Sequence, residues 1–342
     1  MPAPLRSRSM PDRPACSLAL PPSSRAPEYA ALAERLGYRR VWLFDSPALY
    51  GDIWVGLAMI AEATSIIGLG TGVAIPSMRH PLVTASAIAT IEEMAPGRLV
   101  AAFGTGYTGR IAMGRRPMRW GDLAAYVRQV RGLLAGDVVE VEGAPAEMIH
   151  HDGFAPPRPV RVPLWVAPSG PKGYRVARDL DVPGVLSAGF PAEDQRGFPE
   201  CGLLAMGTVV RAGEDHTSRR LIEAVGPAYT TGIHGMYEYA PAAVATVPGG
   251  ADWLARLEED RPDGQRHLGV HAGHLCAVTE RDRGLVEAAG PALLQTGWTG
   301  DAAAVAARFD QAAECGVTEI LYTPGGPDIP GELEAFVQAA AS

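Results

Sequence analysis

Cysteine is scarce and scattered: four residues in 342, at Cys16, Cys201, Cys276 and Cys315, with no CxxC pair. That pattern argues against a disulfide framework and fits free thiols in a reducing cytoplasm, where the chain is expected to reside. No apolar run approaches the roughly 20 residues of a membrane span. There is no surplus of positive charge either. The net charge is −8, which argues against a general nucleic-acid or anionic-membrane surface. A GxSxG elbow, a P-loop, an HExxH helix and an HxH after the first strand are all missing, so those chemistries have no carrier. Residues 1–15, rich in Arg, Pro and Ser, lack the apolar stretch of a signal peptide and read as a loose, disordered tail. Internal repeats and low-complexity segments are also absent.

What is present is an ordinary large core, with 47% hydrophobic and 20% charged residues, and many tight connections, with 40 glycines and 30 prolines. Eight short runs have strand character: Ser17–Leu20, Arg40–Phe44, Ile66–Ile75, Leu99–Phe103, Leu164–Ala167, Gly184–Ser187, Leu203–Val210 and Glu319–Thr323. Most are apolar throughout rather than alternating, as strands buried on both faces are. Helical stretches follow most of them: Pro27–Leu36, Ile53–Thr64, Pro81–Glu93, Leu123–Leu134 and Gly331–Ala340. Strand–helix alternation repeated eight times predicts a closed α/β barrel of the (β/α)8 TIM type, one domain over residues 16–342. The runner-up is an open doubly wound sheet.

Two stretches fall outside the repeat. Val138–Glu142 and Glu147–His151, joined by Gly143-Ala144-Pro145, read as a β-hairpin inserted before the fifth strand. Residues from about 225 to 309 read as a helical excursion between the seventh and eighth strands, roofing the C-terminal face. The sixth strand's helix is nearly missing, because Phe190–Cys201 holds two prolines and a glycine. The helices at 53–64 and 81–93 carry few charges. An outer-layer helix normally shows water a charged face, so these two are expected in a subunit interface, making the chain a homodimer or higher homo-oligomer.

Barrel active sites gather at the C-terminal ends of strands. The fifth run ends in Ala167-Pro168-Ser169-Gly170-Pro171-Lys172-Gly173. Small turn residues that open a helix leave free backbone N–H groups at its positive end, and Lys172 adds a full charge, so this is a seat for a phosphate or carboxylate. The fourth run ends in Gly104-Thr105-Gly106-Tyr107-Thr108-Gly109 and the third in Gly72-Val73-Ala74-Ile75-Pro76. Glycine at three strand ends would let a flat cofactor ring approach the backbone; tight-turn packing is the competing explanation for each. The literal GxGxxG at 104–109 is not taken as a dinucleotide fingerprint, because Gly114 and Pro117 keep Arg110–Arg119 from opening a helix. Arg110, Arg115, Arg116 and Arg119 form either a solvated loop or an anion-binding rim.

Asp45, acidic at the end of a buried run, orients a ring or substrate or caps the next helix. Tyr107 offers a hydroxyl and an aromatic face. His267, His271 and His274 would share a helix face, but Gly269 and Gly273 interrupt it, and no metal site is expected.

These residues resemble the bacterial luciferase-like flavin superfamily, in particular its branch using the deazaflavin coenzyme F420, closest to the methylenetetrahydromethanopterin reductase-like members. The resemblance rests on Gly37-Tyr38 before Val41–Asp45 and on Ile67–Val73 with Arg79-His80-Pro81. It continues in Pro96-Gly97-Arg98 before Gly104-Thr105-Gly106, the Ser169–Lys172 turn, and Gly316–Tyr322. It covers about residues 17–338, most weakly between 190 and 300. It implies a flavin-like ring across the barrel mouth against a non-proline cis peptide at Gly72-Val73, a phosphate on Ser169, Gly170, Lys172 and Gly173, and Asp45 near the ring. Gly104, Thr105, Gly106 and Tyr107 belong to the same cofactor-binding set.

Many relatives carry His directly after the strand-two Asp as a proton donor, where this chain has Ser46. The sugar-phosphate dehydrogenases of the F420 branch pair that His with a Glu at the position of Tyr107. Both are absent here, which speaks against glucose 6-phosphate as substrate. Proton transfer would then fall to Tyr107, His80, a histidine of the 267–274 group or water. The resemblance implies hydride transfer between F420 and a small organic substrate, as a reductase. Its alternative is an FMN-dependent monooxygenase using reduced flavin and O2, and a third reading is a non-catalytic barrel. The arginine rim suits the polyanionic tail of F420.

Overall fold

The computed structural model describes residues 13–189 and 195–342. Eight parallel strands close on themselves: β1 (Ala15–Leu20), β2 (Arg40–Leu43), β3 (Gly68–Ala74), β4 (Leu99–Phe103), β7 (Leu164–Val166), β8 (Gly184–Ser187), β9 (Glu200–Met206) and β10 (Glu319–Thr323). The order β1-β10-β9-β8-β7-β4-β3-β2 is the expected (β/α)8 barrel and sets the open sheet aside. Around it lie α1 (Ala26–Arg35), α2 (Ile53–Ala63), α3 (Pro81–Met94), α4 (Tyr107–Ile111), α5 (Trp120–Ala135), α6 (Gly170–Asp179), and, after the insertion, α12 (Ala302–Glu314) and α13 (Ile329–Ala340).

Two indoles dominate the barrel interior. Trp42 and Trp165 lie 5.4 Å apart, ring centre to ring centre, among Ala19, Val100, Ala102 and Leu321. Glycine in the neighbouring strands makes the room: a Cβ on Gly70 would lie 2.3 Å from Trp42, and one on Gly184 2.2 Å from Trp165. The N-terminal end is closed by a buried carboxylate, Glu319, which accepts from Ser17, Trp42 Nε1 and Arg40. A buried charge with that many partners is held rather than exposed.

Several boundaries move from their expected places. The tail is shorter at its inner end: Arg13 pairs with Asp310 and Ala15 already lies in β1, while residues 1–12 lie outside the described residues. The hairpin is tighter, β5 (Val139–Val141) with β6 (Ala144–Ala146). Glu142 and Gly143 both have positive φ, the signature of a two-residue type I′ turn, so pairing resumes at once at Ala144 and 147–151 falls outside it. The run at 203–210 is cut short: a Cβ on Gly207 would lie 2.6 Å from the Thr299 amide, and that close crossing ends β9. Of the missing sixth helix, residues 195–199 hold no α-helix, and 190–194 lie outside the described residues.

Between β9 and β10 the chain makes the expected helical excursion, α7 (Arg219–Tyr239), α8 (Pro241–Val244), α9 (Gly250–Asp260), α10 (His267–Val270) and α11 (Glu280–Ala289). It has its own apolar cores. One gathers Ile233, Val244, Trp253, Leu257, Val270 and Leu285; a second gathers Leu221, Val225, Val286 and Leu293.

Candidate active site

The C-terminal ends of β2, β3, β4 and β7 are neighbours in the barrel, and most of the expected site residues stand there, with Tyr239 at the end of α7 reaching Tyr107 after β4. The Gly72–Val73 peptide is cis, as the resemblance implies. The ladder between β3 and β4 is irregular between Thr71 and Ala74, so the end of β3 bulges toward the mouth.

Asp45 is buried, and its Oδ2 accepts the Ile75 amide at 2.8 Å. It therefore ties the end of β2 to the bulge. Burial raises its carboxyl above the ordinary value, opposed by the Ile75 hydrogen bond and by Arg79. The alternative helix-capping role belongs to Asp52, which accepts from the Trp54 and Val55 amides and pairs with Arg79. His80 caps α3: its Nδ1 accepts the Leu82 amide at 3.2 Å, which places the proton of the neutral ring on Nε2. Only that nitrogen is left for a substrate.

The glycines after β4 have a packing reason. A Cβ on Gly104 would lie 2.5 Å from Val73 Cγ2, on Gly106 2.7 Å from Ile75 Cγ2, and on Gly109 2.7 Å from the Asp45 carbonyl oxygen. They let the β4 loop lie against the β3 bulge. At these three positions the close neighbour is the chain itself: Val73, Ile75 and the Asp45 backbone. Thr105 holds the loop from the other side, its carbonyl accepting from the Met118 amide at 2.9 Å. Gly106, at φ 79°, sits before a short helix that opens at Tyr107. This one-turn helix opens inside the GxGxxG and ends at Ile111, so Arg110–Arg119 opens no helix, as expected.

Tyr107 stacks on Tyr239 of α7, ring centres 5.7 Å apart at 14°. Its hydroxyl is buried with no hydrogen-bond partner among the described residues. Burial, then Tyr239 and Glu238, pushes the phenol well above its ordinary value, so it stays protonated and can only donate or accept a hydrogen bond. Of the four arginines, Arg110 is committed to Ser77 and to the Arg116 carbonyl, while Arg115, Arg116 and Arg119 are exposed.

The turn after β7 is built as expected. Ser169 precedes α6, its side chain makes no cap, Pro171 occupies the first turn, and no acidic residue stands there. Ser169, Gly170 and Lys172 are exposed. Gly173 is buried, and its Cβ would lie 2.8 Å from Trp120 and 2.9 Å from Pro168.

Residues to which the sequence assigns no role also reach the mouth: Tyr239, which stacks on Tyr107, Thr108, beside His274, and His234, next to His274. His234 joins His271 and His274 in a buried group, whereas His267 is apart, beside Gly114. Burial holds the His234 and His274 rings below their ordinary values. No local spacing could have signalled His234, which is 37 residues from His271 in the chain.

Comparison with known proteins places this geometry. The 5,10-methylenetetrahydromethanopterin reductase of Methanolobus tindarius is 30% identical over 180 residues, covering 50% of this chain and 52% of that protein. The F420-dependent glucose-6-phosphate dehydrogenase of Beutenbergia cavernae is 33% identical over 171 residues, 44% of this chain and 48% of that protein. The chain thus spans about half the length of the curated relatives it matches. In three dimensions it is similar to the coenzyme F420-dependent tetrahydromethanopterin reductase of Methanopyrus kandleri, with TM-score 0.62 and 19% identity over 96% of this chain and 98% of that one. Residues 3–200, more than half of the sequence, match the model of the luciferase-like monooxygenases, and the chain belongs to that family.

Proposed function

We propose that this chain is an F420-dependent oxidoreductase acting on a small organic molecule, as a reductase. The observation that carries the reading is the turn at Ser169–Lys172. A ten-residue helix presents exposed first-turn amides, an unused serine hydroxyl and a lysine, with no acidic side chain to compete. That combination suits a cofactor phosphate. The names of the relatives above supply the second support.

When bound, a deazaflavin supplies a hydride donor or acceptor. The chain's own residues would do the rest by positioning. The cis peptide at Gly72–Val73 and the Asp45–Ile75 bond set the floor of the site. Tyr107, fixed by its stack on Tyr239, holds a protonated hydroxyl over it. His80 Nε2 is the second candidate donor.

Exposed apolar side chains on the α2 and α3 side support the homodimer reading: Val55 is 60% exposed, Val83 49% and Met59 41%. A groove of about 530 Å³ lies beside them, between α3 and residues 147–150. No helix among the described residues is long and apolar enough to cross a membrane.

Fluorescence titration of the purified chain with F420 and with FMN tests the cofactor. Tight F420 binding, weakened about tenfold in Lys172→Ala with unchanged circular dichroism, is the expected result. Tight FMN binding without F420 binding would replace this reading by a flavin monooxygenase. Failure to bind either would support a barrel without catalysis.

A further inference from the structure

The three buried histidines at the base of the insertion are unused by the hydride-transfer reading. His234 comes from α7, and His271 and His274 from the turn after α10; their exposures are 0%, 1% and 6%. One ring nitrogen from each lies within 4.8 Å of the others. We propose that His234, His271 and His274 bind a divalent metal ion of the zinc type, at the seam between the insertion and the barrel mouth.

Geometry is the first support. The three ring centres are 5.2, 5.5 and 5.7 Å apart. Imidazoles bound through one nitrogen to a tetrahedral zinc, at Zn–N of about 2.1 Å, have centres roughly 5.2 Å and nitrogens roughly 3.4 Å apart. His234 Nδ1 and His274 Nδ1 stand 3.4 Å from one another. Small rotations of the rings would bring the third nitrogen to the same spacing.

The outer nitrogens are the second support. Metal-bound histidines turn their other ring nitrogen to a carboxylate or another polar group, which fixes the ring. His271 Nε2 lies 3.2 Å from Glu238 Oε1, leaving its Nδ1 buried with no hydrogen-bond partner. His274 Nε2 lies 3.5 Å from Thr108 Oγ1, and His234 Nε2, which makes no hydrogen bond, faces Asp282 Oδ1 at 3.7 Å. An unpartnered nitrogen in a dry site costs about 1–3 kcal/mol, and a cation among three lone pairs removes that cost. Glu238 and Asp282 also bring negative charge to balance the ion, with Arg281 Nε 3.9 Å from Asp282 offsetting part of it.

Imidazole donors alone favour zinc, copper, nickel or cobalt over magnesium or calcium, which take oxygen. Three protein ligands leave a fourth position for water. Placement gives the ion a mechanical consequence. The His274 carbonyl accepts from Tyr50, in the loop after β2, and Thr108 stands in the loop after β4. A metal here would pin the roof to both loops.

The test uses the full chain, purified without a histidine tag, stripped with EDTA and titrated with cobalt chloride and then zinc chloride. Expected are about one equivalent bound per chain, visible ligand-field bands of tetrahedral cobalt, and their loss on adding zinc. His271→Gln and His274→Gln should each weaken zinc binding at least about tenfold, while His267→Gln, outside the group, leaves it unchanged. Absence of cobalt bands in the unaltered chain would overturn the proposal, and so would binding that both His271→Gln and His274→Gln retain. The cobalt spectrum is read on the unaltered protein, so the result does not depend on whether a variant folds. Cofactor titration is a separate measurement, so failure here leaves the F420 reading standing.

Discussion

The barrel and its insertion bury side chains by opposite means. In the barrel, parallel strands pack tryptophans against glycines, and the one deep carboxylate at the N-terminal end is fully engaged. In the insertion, helices enclose small apolar cores, yet the space next to the barrel holds three histidines, Asp282 and unpartnered ring nitrogens. In the barrel interior that buried carboxylate has three donors. At the seam with the insertion, His234 Nε2 and His271 Nδ1 are buried with no hydrogen-bond partner among the described residues, which is costly unless they have work to do.

The largest effect should come from filling a barrel glycine. Gly70→Ala puts a methyl 2.3 Å from Trp42 in a barrel with no slack and is expected to cost about 3 kcal/mol in urea unfolding. Hydrogen exchange should report loosening of β2, β3 and everything resting on them. An unchanged midpoint would mean that the barrel interior yields as easily as the insertion.

A cut in the insertion should be smaller and more local. Trp253 Nε1 donates to buried Asp282 Oδ1 at 2.7 Å. Trp253→Phe is expected to cost about 1–2 kcal/mol, read as faster amide exchange in α9 and α11 with the barrel strands still protected. Equal loss of protection in β1 and β10 would show that the two regions unfold as one.

The weakest contrast lies in pH, within the barrel itself. Glu34, whose carboxylate accepts the Ser65, Ile66 and Ile67 amides, is held below its ordinary value although burial opposes this. It stabilises above the unfolded value, and that contribution is lost as pH falls through the lower folded value. Asp45 at the mouth is raised, chiefly by burial. Between its ordinary and its folded value the native state holds a proton that the unfolded chain has released, so stability falls as pH rises. Asp45→Asn should flatten that second slope in urea midpoints taken between about pH 4 and 6, leaving the Glu34 slope intact. An unchanged slope in the variant would remove Asp45 from the account.

Much of the barrel was legible because its signals are local. Leu99–Phe103, Gly184–Ser187 and Glu319–Thr323 agree with the structure to the residue, since a strand buried on both faces is mostly apolar rather than alternating. The hairpin shifted because a two-residue turn with positive φ at Glu142 is not written in composition. At the site, the Ser169–Lys172 turn was legible from small residues beside a lysine. The glycines after β4 mark a place of close approach in the sequence, and in the fold Val73, Ile75 and the Asp45 backbone approach them.

From the chain alone came the strand–helix alternation, the anion-seeking turn and the weak charge of the helices at 53–64 and 81–93. Each is a property of neighbours along the sequence. Only the folded molecule joined Asp45 to Ile75, set Tyr107 under Tyr239, and gathered His234 with His271 and His274. Those partners stand 30 or more residues apart, and nothing in the identity of a side chain states which distant one will share its pocket. That choice belongs to barrel closure, which brings strand ends together, and to the roof that folds down upon them.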